Sequence, residues 1–283
     1  TVDVADATGD KIIHMMVGDK DLLKRKREGS KLEHANTVLD VSNLRSQVLN
    51  NVSFSLRHGE ILGLGGLQGQ GQAEVLLSLF GSHPCAVDSL KLEGKEVAIR
   101  STIDAMRHSF GYISGDRKKA GVFLHRPIFE SLVLCHLIKR RKQLFSKRRL
   151  TDQILPLLEK IGTTFGKLTD QANSLSGGNQ QKIVIGRWLM TNPRILLLDD
   201  STKGIDVGAS KDFYGILEAL CEQGVSVIWH SSEDLELLNN TDRVLVFDSG
   251  RIVDELEGER LNEVELYKAA LDSQQKRTAG EAI

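Results

Sequence analysis

Three stretches of this sequence combine residue types and spacings that suit phosphate chemistry. The first runs from Gly66 to Ala73, with glycines at 66, 69 and 71, between an apolar run and a helix-like segment at 74–80. Its spacing is that of a phosphate-binding loop, G-x4-G-K-S/T. Glycines there let backbone N–H groups wrap a phosphate, and the following helix adds its dipole. Here the lysine position holds Gln72 and the hydroxyl position holds Ala73. The lysine neutralises terminal phosphates and the hydroxyl binds Mg²⁺, and a carboxamide and a methyl group do neither. A tight strand-to-helix turn accounts for the same glycines with no ligand at all.

The second stretch is LSGGNQQK, Leu175 to Lys182, followed by an apolar helix to Met190. Ser176, Gly177 and Gly178 can open that helix with N–H groups aimed outward, which is a phosphate receptor by geometry. An N-cap serine followed by flexible glycines is the plainer reading. The third stretch is ILLLDD at 195–200. A buried strand that delivers Asp199 and Asp200 at its C-terminal end puts them where a parallel sheet places its active site. Asp199 would hold Mg²⁺ through water and Asp200 would orient a nucleophilic water; a polar turn after a strand is the alternative. TKGID follows at 202–206 and could reach across an interface.

The elements around these stretches alternate. Residues 38–41 and 52–56 alternate apolar and polar, as half-buried strands do. Residues 60–65 form a continuous apolar run entering the glycines, and 195–198, 225–229 and 244–247 are further strand-like runs. Helical patterns separate them, as at 212–223. Between Arg126 and Thr169 the helix period dominates, with Leu132, Leu134, Leu137, Ile138 and then Ile154, Leu157, Leu158, Ile161 on stripes. The pattern predicts an α/β fold with a mostly parallel sheet and an inserted helical subdomain at about 121–176.

The first 35 residues differ. A mostly apolar stretch at 12–17 precedes a charged run at 24–30, which reads as a linker. The sequence starts at Thr1 rather than Met, so a piece of a longer chain is expected. The 283 residues carry 37 Lys and Arg against 38 Asp and Glu, a net charge of −1, which excludes a polyanion-binding surface built on net charge. Cys85, Cys135 and Cys221 lie far apart and read as reduced thiols, not a disulfide or zinc framework. No run of 18 apolar residues exists. His230 reads as a strand-end histidine. The basic runs at 139–142 and 147–149 read as a solvated helix face, with lipid headgroups as the functional alternative. Scarce aromatics argue against nucleic acid as a partner.

Taken together, the order of loop, helical insert, LSGGNQQK, LLLDD and GID resembles an ATP-binding cassette (ABC) ATPase. With Tyr112-Ile-Ser-Gly-Asp-Arg117-Lys118 it is most similar to the second cassette of duplicated sugar-importer ATPases. The resemblance covers about 36–270, with a tail at 271–283, and IIHMMVG at 12–18 resembles the end of a preceding cassette. It implies a P-loop NTPase fold with an N-terminal antiparallel β-part, and two cassettes facing head to tail with ATP and Mg²⁺ between them. Gly66, Gly69, Gly71, Gln72 and Ala73 would line the nucleotide loop. Asp199 would be the Mg²⁺-side acid, Asp200 would stand where the family has glutamate, Gly115 at the Q-loop position and Ser232 at the switch-histidine position. Ser176, Gly177, Gly178, Asn179 and Gln180 would act on the partner's nucleotide, and Asp206 would lie at the interface. Val48 stands near the position of an adenine-stacking aromatic.

The departures (Gln72, Ala73, Gly115, Asp200, Ser232) all fall on the chain's own nucleotide side, so low or no hydrolysis by the isolated chain is expected. The resemblance further implies an integral membrane permease, an indirect periplasmic sugar-binding protein, and a cytoplasmic place on the inner face of the cell membrane. Other possible functions are a soluble ABC protein of translation or DNA repair, and a non-catalytic pseudo-ATPase.

Overall fold

The computed structural model describes residues 35–116, 121–141 and 144–278. The stretch at 12–18, the charged run at 24–30, Arg117, Lys118 and Lys142 lie outside the described residues. The order of elements is β1 (Thr37–Leu44), β2 (Val52–Arg57), β3 (Ile61–Gly66), α1 (Gln72–Leu79), β4 (Ser89–Leu92), β5 (Lys95–Glu96), α2 (Thr102–Arg107) and β6 (Phe110–Ser114). Then come α3 (Ile128–Arg140), α4 (Lys147–Lys160), α5 (Gly177–Leu189), β7 (Ile195–Asp199), α6 (Val207–Glu222), β8 (Ser226–His230), α7 (Asp234–Asn240), β9 (Arg243–Asp248), β10 (Arg251–Glu257) and α8 (Glu263–Thr278).

Contacts divide the chain into two compact units. Among the described residues, one holds 35–75, 85–96 and 229–278; the other holds the described residues of 76–84 and 97–228. In the first unit, β2, β1, β4 and β5 form an antiparallel sheet in that order. Val41 sits opposite Phe54 on one side and Leu90 on the other, and all three are buried. β3 pairs in parallel with β9, Leu64 facing Leu245, and β9 pairs antiparallel with β10. Leu62, Leu64, Val244, Val246 and Phe247 are fully buried, each worth about 1.5–3 kcal/mol of transfer free energy.

An ion pair ties the first unit together at the start of β3. Arg243 Nε lies 2.5 Å from Glu60 Oε1, and its Nη2 donates to the Ser55 carbonyl of β2. Both charged groups are buried. The Ile61 amide at the head of β3 donates to Asp242 at 2.8 Å. Strand β3 therefore enters the glycine-rich loop from a fixed base.

In the second unit, β6 and β7 pair in parallel, Tyr112 facing Leu197 and Ser114 facing Asp199. Helices α3 and α4 form where the helix period was read, but the buried face of α3 differs from the stripe expected. Leu132 is buried, Leu134 and Leu137 are only half-buried and Ile138 is exposed, whereas Ile154, Leu158 and Ile161 of the second stripe are buried. Ile128, Leu132 and Cys135 of α3 and Leu150, Ile154 and Leu158 of α4 are buried at i, i+4 and nearby spacing. Helix α8 extends through the first part of the tail expected at 271–283. Four strands went unseen in the sequence: β4, which is only four residues long, and β6, which carries a glycine among its five residues, as well as β10 and β5. β10 is largely exposed and reads RIVDELE, so no apolar run marks it, and β5 is only two residues long.

Candidate functional site

The glycine-rich loop lies between β3 and α1, as the apolar run before it requires. Gly66 has φ +110°, and a side chain there would begin 2.4 Å from the Phe247 carbonyl oxygen, so only glycine fits the exit of β3. Gly69 and Gly71 also have positive φ. Gln72, the first residue of α1, is 2% exposed. Its side chain folds back into the loop. Nε2 donates to the Gly65 carbonyl (3.2 Å) and the Leu67 carbonyl (2.9 Å), and Oε1 accepts from the Gln70 amide (3.0 Å).

A carboxamide is both donor and acceptor, and here it uses both ends on the loop's own backbone. The Gln70 N–H, which a phosphate would need, already has an acceptor. Gln70 is held in turn, its Oε1 accepting from the Ser249 amide and its carbonyl from the Gly250 amide, both at 2.8 Å. Ala73 offers no hydroxyl. Val48 is exposed and close to Gly71. These residues do not fit a Mg²⁺-bound triphosphate: the loop has no cation, no metal-binding hydroxyl and one fewer available amide. Ser232 lies between β8 and α7 and is half-buried, next to Ser231, whose hydroxyl donates to Glu236. His230 is the last residue of β8, at a strand end as expected.

The second unit gathers Tyr112, Gly115, Asp199 and Asp200 at the C-terminal ends of β6 and β7. The Gly115 amide donates to the Asp199 carbonyl at 2.6 Å. A side chain at position 115 would begin 2.3 Å from the Asp200 carbonyl oxygen, which no real Cβ tolerates. Position 115 is thus closed by the backbone of Asp200, and no larger side chain fits there unless that backbone moves. Asp200 has φ +48°, a left-handed conformation that aspartate tolerates better than most residues.

Tyr112 is the functional neighbour that sequence reading quoted only as part of a motif. Its hydroxyl donates to Asp199 Oδ2 at 2.7 Å. The ring stacks on Phe80 with centroids 5.3 Å apart, and Phe80 meets Trp188 edge-on at 5.6 Å. Burial raises the Tyr112 phenol well above its ordinary pKa, and the Asp199 carboxylate raises it further by repelling the phenolate and accepting its hydrogen bond. Below about pH 10 both folded and unfolded tyrosine are neutral and the contribution is constant. Above that pH the unfolded phenol ionises while the folded one stays protonated, so stability falls. The Tyr112 contribution to the urea midpoint is expected to be constant from pH 8 to about 10 and to fall above about pH 10, so the midpoint should drop less there in Tyr112→Phe. An identical slope in both proteins would contradict this. Among the described residues no cluster of three or more His, Cys, Asp or Glu can hold a metal ion.

The LSGGNQQK stretch folds as the sequence suggested. Ser176 is the N-cap of α5 and its Oγ accepts from the Asn179 amide at 3.4 Å and from Asn179 Nδ2 at 3.2 Å. Asn179 Oδ1 accepts from the Thr164 amide at 2.9 Å, and Gln180 Nε2 donates to the Leu175 carbonyl at 3.0 Å. The Asn179 and Gln180 side chains therefore brace the turn from inside, while Ser176 and Gly177 are exposed. Gly178 packs against α6, since a Cβ there would lie 2.8 Å from the Ala209 Cβ. Asp206 caps α6, its Oδ1 accepting from the Ala209 amide at 2.9 Å. Gly178→Ala must push α5 and α6 apart. It is expected to cost about 1–3 kcal/mol, read as a fall in melting temperature of several degrees; an unchanged melting temperature would contradict the packing.

Among the described residues no helix is long and apolar enough to cross a membrane.

Comparison with known proteins agrees with the α/β fold. The ABC transporter family model matches residues 49–203. The ribose import ATP-binding protein RbsA of Geobacillus kaustophilus is 36% identical over 276 residues, 94% of this chain and 54% of that protein. The protein of the same name from Clostridium tetani is 34% identical over 273 residues, 95% of this chain and 54% of its own length. The chain thus spans about half the length of these curated relatives. The ADP conformation of MJ1267, an ATP-binding cassette of an ABC transporter, superposes with a TM-score of 0.70 at 20% identity, over 87% of this chain and all of that one. The dimeric post-hydrolysis state of the ATP-binding cassette MJ0796, bound to ADP and Pi, gives 0.65 at 18% identity, over 77% of this chain and 98% of that one. The fold is that of a P-loop cassette, and with more than half of its length matched by the family model, the chain belongs to the ABC transporter family.

Proposed function

We propose that this chain is the C-terminal, degenerate cassette of a two-cassette ATP-binding subunit in a bacterial monosaccharide importer. It supplies its signature helix, not its own phosphate loop, to the working ATP site. The observation that carries this reading is the contrast between the two halves of its machinery. Gln72 occupies its own loop from within, whereas Ser176 and Gly177 stand exposed at the start of a well-braced α5.

On this reading residues 1–35 are the end of a preceding cassette and a linker, 36–270 the cassette, and 271–283 a tail. The other cassette grips ATP and Mg²⁺. Ser176, Gly177 and Gly178 close on that nucleotide, with Asn179 and Gln180 holding their turn. Closure is driven by the higher affinity of ATP for the closed pair, and it is this difference that moves the permease. Asp199 and Asp200 keep the positions of the Mg²⁺ acid and the catalytic glutamate, but Asp200 is one methylene shorter than glutamate, and about 1 Å of misplacement can cost about 100-fold in rate. The relatives' names support ribose or a similar sugar as cargo; a periplasmic binding protein upstream and a position on the inner face of the membrane against the permease belong to the same importer reading.

The test is an ATPase assay on the isolated chain and then on the two-cassette protein. The isolated chain is expected to hydrolyse ATP far below about 1 s⁻¹, the low end of ordinary enzyme turnover. Ordinary turnover by the chain alone would overturn the reading. A purely non-catalytic, partner-binding role is favoured by the same Gln72 contacts. It differs in one outcome: altering Ser176 would then leave turnover of the two-cassette protein unchanged.

A further inference from the structure

The basic stretch at the end of α3 was read from sequence as a solvated helix face. The structure gives part of it another setting. Lys139, Arg140 and His136 of α3 line a cavity with Arg107 of α2, Ser109 before β6, and Met190, Thr191, Asn192 and Arg194 before β7. Its volume is about 490 Å³, and neither aspartate nor glutamate lines it. It sits at the N-terminal ends of β6 and β7. Asp199, Asp200 and Gly115 are at the C-terminal ends of the same strands, about 16 Å away at ~3.3 Å per residue. The cavity therefore belongs to no part of the nucleotide machinery.

We propose that this cavity binds the phosphoryl oxygens of a small soluble anion, of the polyphosphate or phosphate-ester class. Four cations converge on it. Arg107 has one acidic neighbour, Asp104, at 3.3 Å, which leaves a clear positive excess. Lys139 is fixed in the wall. Its Nζ donates to the Thr191 carbonyl at 2.8 Å and to Ser109 Oγ at 3.3 Å, and an ammonium has three donors, so one remains. His136 is fixed too, its Nδ1 donating to the Met190 carbonyl at 2.7 Å. Arg140 and Arg194 are exposed at the rim, and a guanidinium presents paired N–H donors that match phosphate oxygens. Met190 and Thr191 are buried and make the floor. Burial lowers the Lys139 pKa, and Arg140 and Arg194 lower it further by repulsion. Cations held together against mutual repulsion, with no carboxylate in the cavity lining, are what an anion would stabilise.

The same phosphoryl chemistry occurs on lipid headgroups, so the experiment has two arms. In the first, the chain is titrated calorimetrically with pyrophosphate at low ionic strength, without Mg²⁺. Saturable binding is expected, weakening with added salt. It should fall at least tenfold in the double variant Arg140→Gln, Arg194→Gln. Both side chains are exposed, and a retained melting temperature shows that the variant folds; Arg140→Lys, Arg194→Lys, which keeps both charges, should recover part of the binding. In the second arm the chain is sedimented with phosphatidylglycerol vesicles. Pyrophosphate binding that depends on the two arginines supports the proposal, with or without vesicle binding. No saturable pyrophosphate binding, equal binding by the glutamine variant, or binding to vesicles alone would overturn it. None of these outcomes depends on the reading of Gln72 or Ser176.

Discussion

Replacing Ser176 with aspartate in the two-cassette protein is expected to lower ATP turnover by about 100-fold or more while leaving the fold intact. Aspartate is as good an N-cap as serine, so the Asn179 amide that Ser176 caps keeps an acceptor, and stability should hold. What changes is the charge at the exposed start of α5. A hydroxyl and a helix N-terminus that would meet a triphosphate are replaced by a carboxylate that repels it. Removing one positioned donor from an anionic transition state costs about 10²–10³ in kcat, and adding repulsion costs more. Ser176→Ala separates the two effects. It loses the cap, about 1 kcal/mol, as well as the donor. Turnover in the steady state is the measurement, with melting temperature as control. Unchanged turnover in Ser176→Asp would remove this chain's signature from the reaction.

The second large effect concerns Gln72. Gln72→Lys is expected to raise the affinity of the isolated chain for ATP at least tenfold without giving ordinary hydrolysis. Glutamine satisfies both kinds of backbone group in the loop, accepting from Gln70 and donating to Gly65 and Leu67. Lysine can only donate. It can still reach the two carbonyls, but it gives up the acceptor for the Gln70 N–H and adds a charge in a buried position. Both changes favour an incoming phosphate. A hydrogen bond to a charged group contributes about 1.5–3 kcal/mol, or about 10- to 150-fold in affinity. Hydrolysis stays low because Ala73 still lacks a hydroxyl, and the backbone of Asp200 still closes position 115. Equilibrium dialysis with ATP and Mg²⁺ is the test; an affinity equal to that of the natural chain would mean that the carboxamide does not keep phosphate out.

Much of this was legible from residues close together in sequence. The apolar runs gave β3, β7, β8 and β9 to within a residue or two, because buried strands need no partner to be recognised. Ser176 declared itself as a cap three residues before Asn179, since capping is local. The spacing at 66–73 located the phosphate loop, and the missing lysine was visible by inspection. What could not be read was how the missing groups are replaced. Gln72 filling its own loop depends on side-chain rotamers within a turn. The bond from Tyr112 to Asp199 spans 87 positions and needs the parallel register of β6 on β7. The clash that excludes a side chain from position 115 depends on the same register. The cavity of Arg107, Lys139 and Arg194 joins three segments far apart in sequence, so a run of lysines and arginines looked like solvated surface.

The most direct measurement is a structure of the two-cassette protein trapped with ATP and Mg²⁺ under conditions that block hydrolysis. The account predicts Ser176 Oγ and the Gly177 amide within hydrogen-bonding distance of the terminal phosphate of a nucleotide whose lysine contact comes from the other cassette, with the Gln72 carboxamide still bonded to Gly65, Leu67 and Gln70. A triphosphate seated in the loop at 66–73 with Ser176 facing bulk solvent would contradict it.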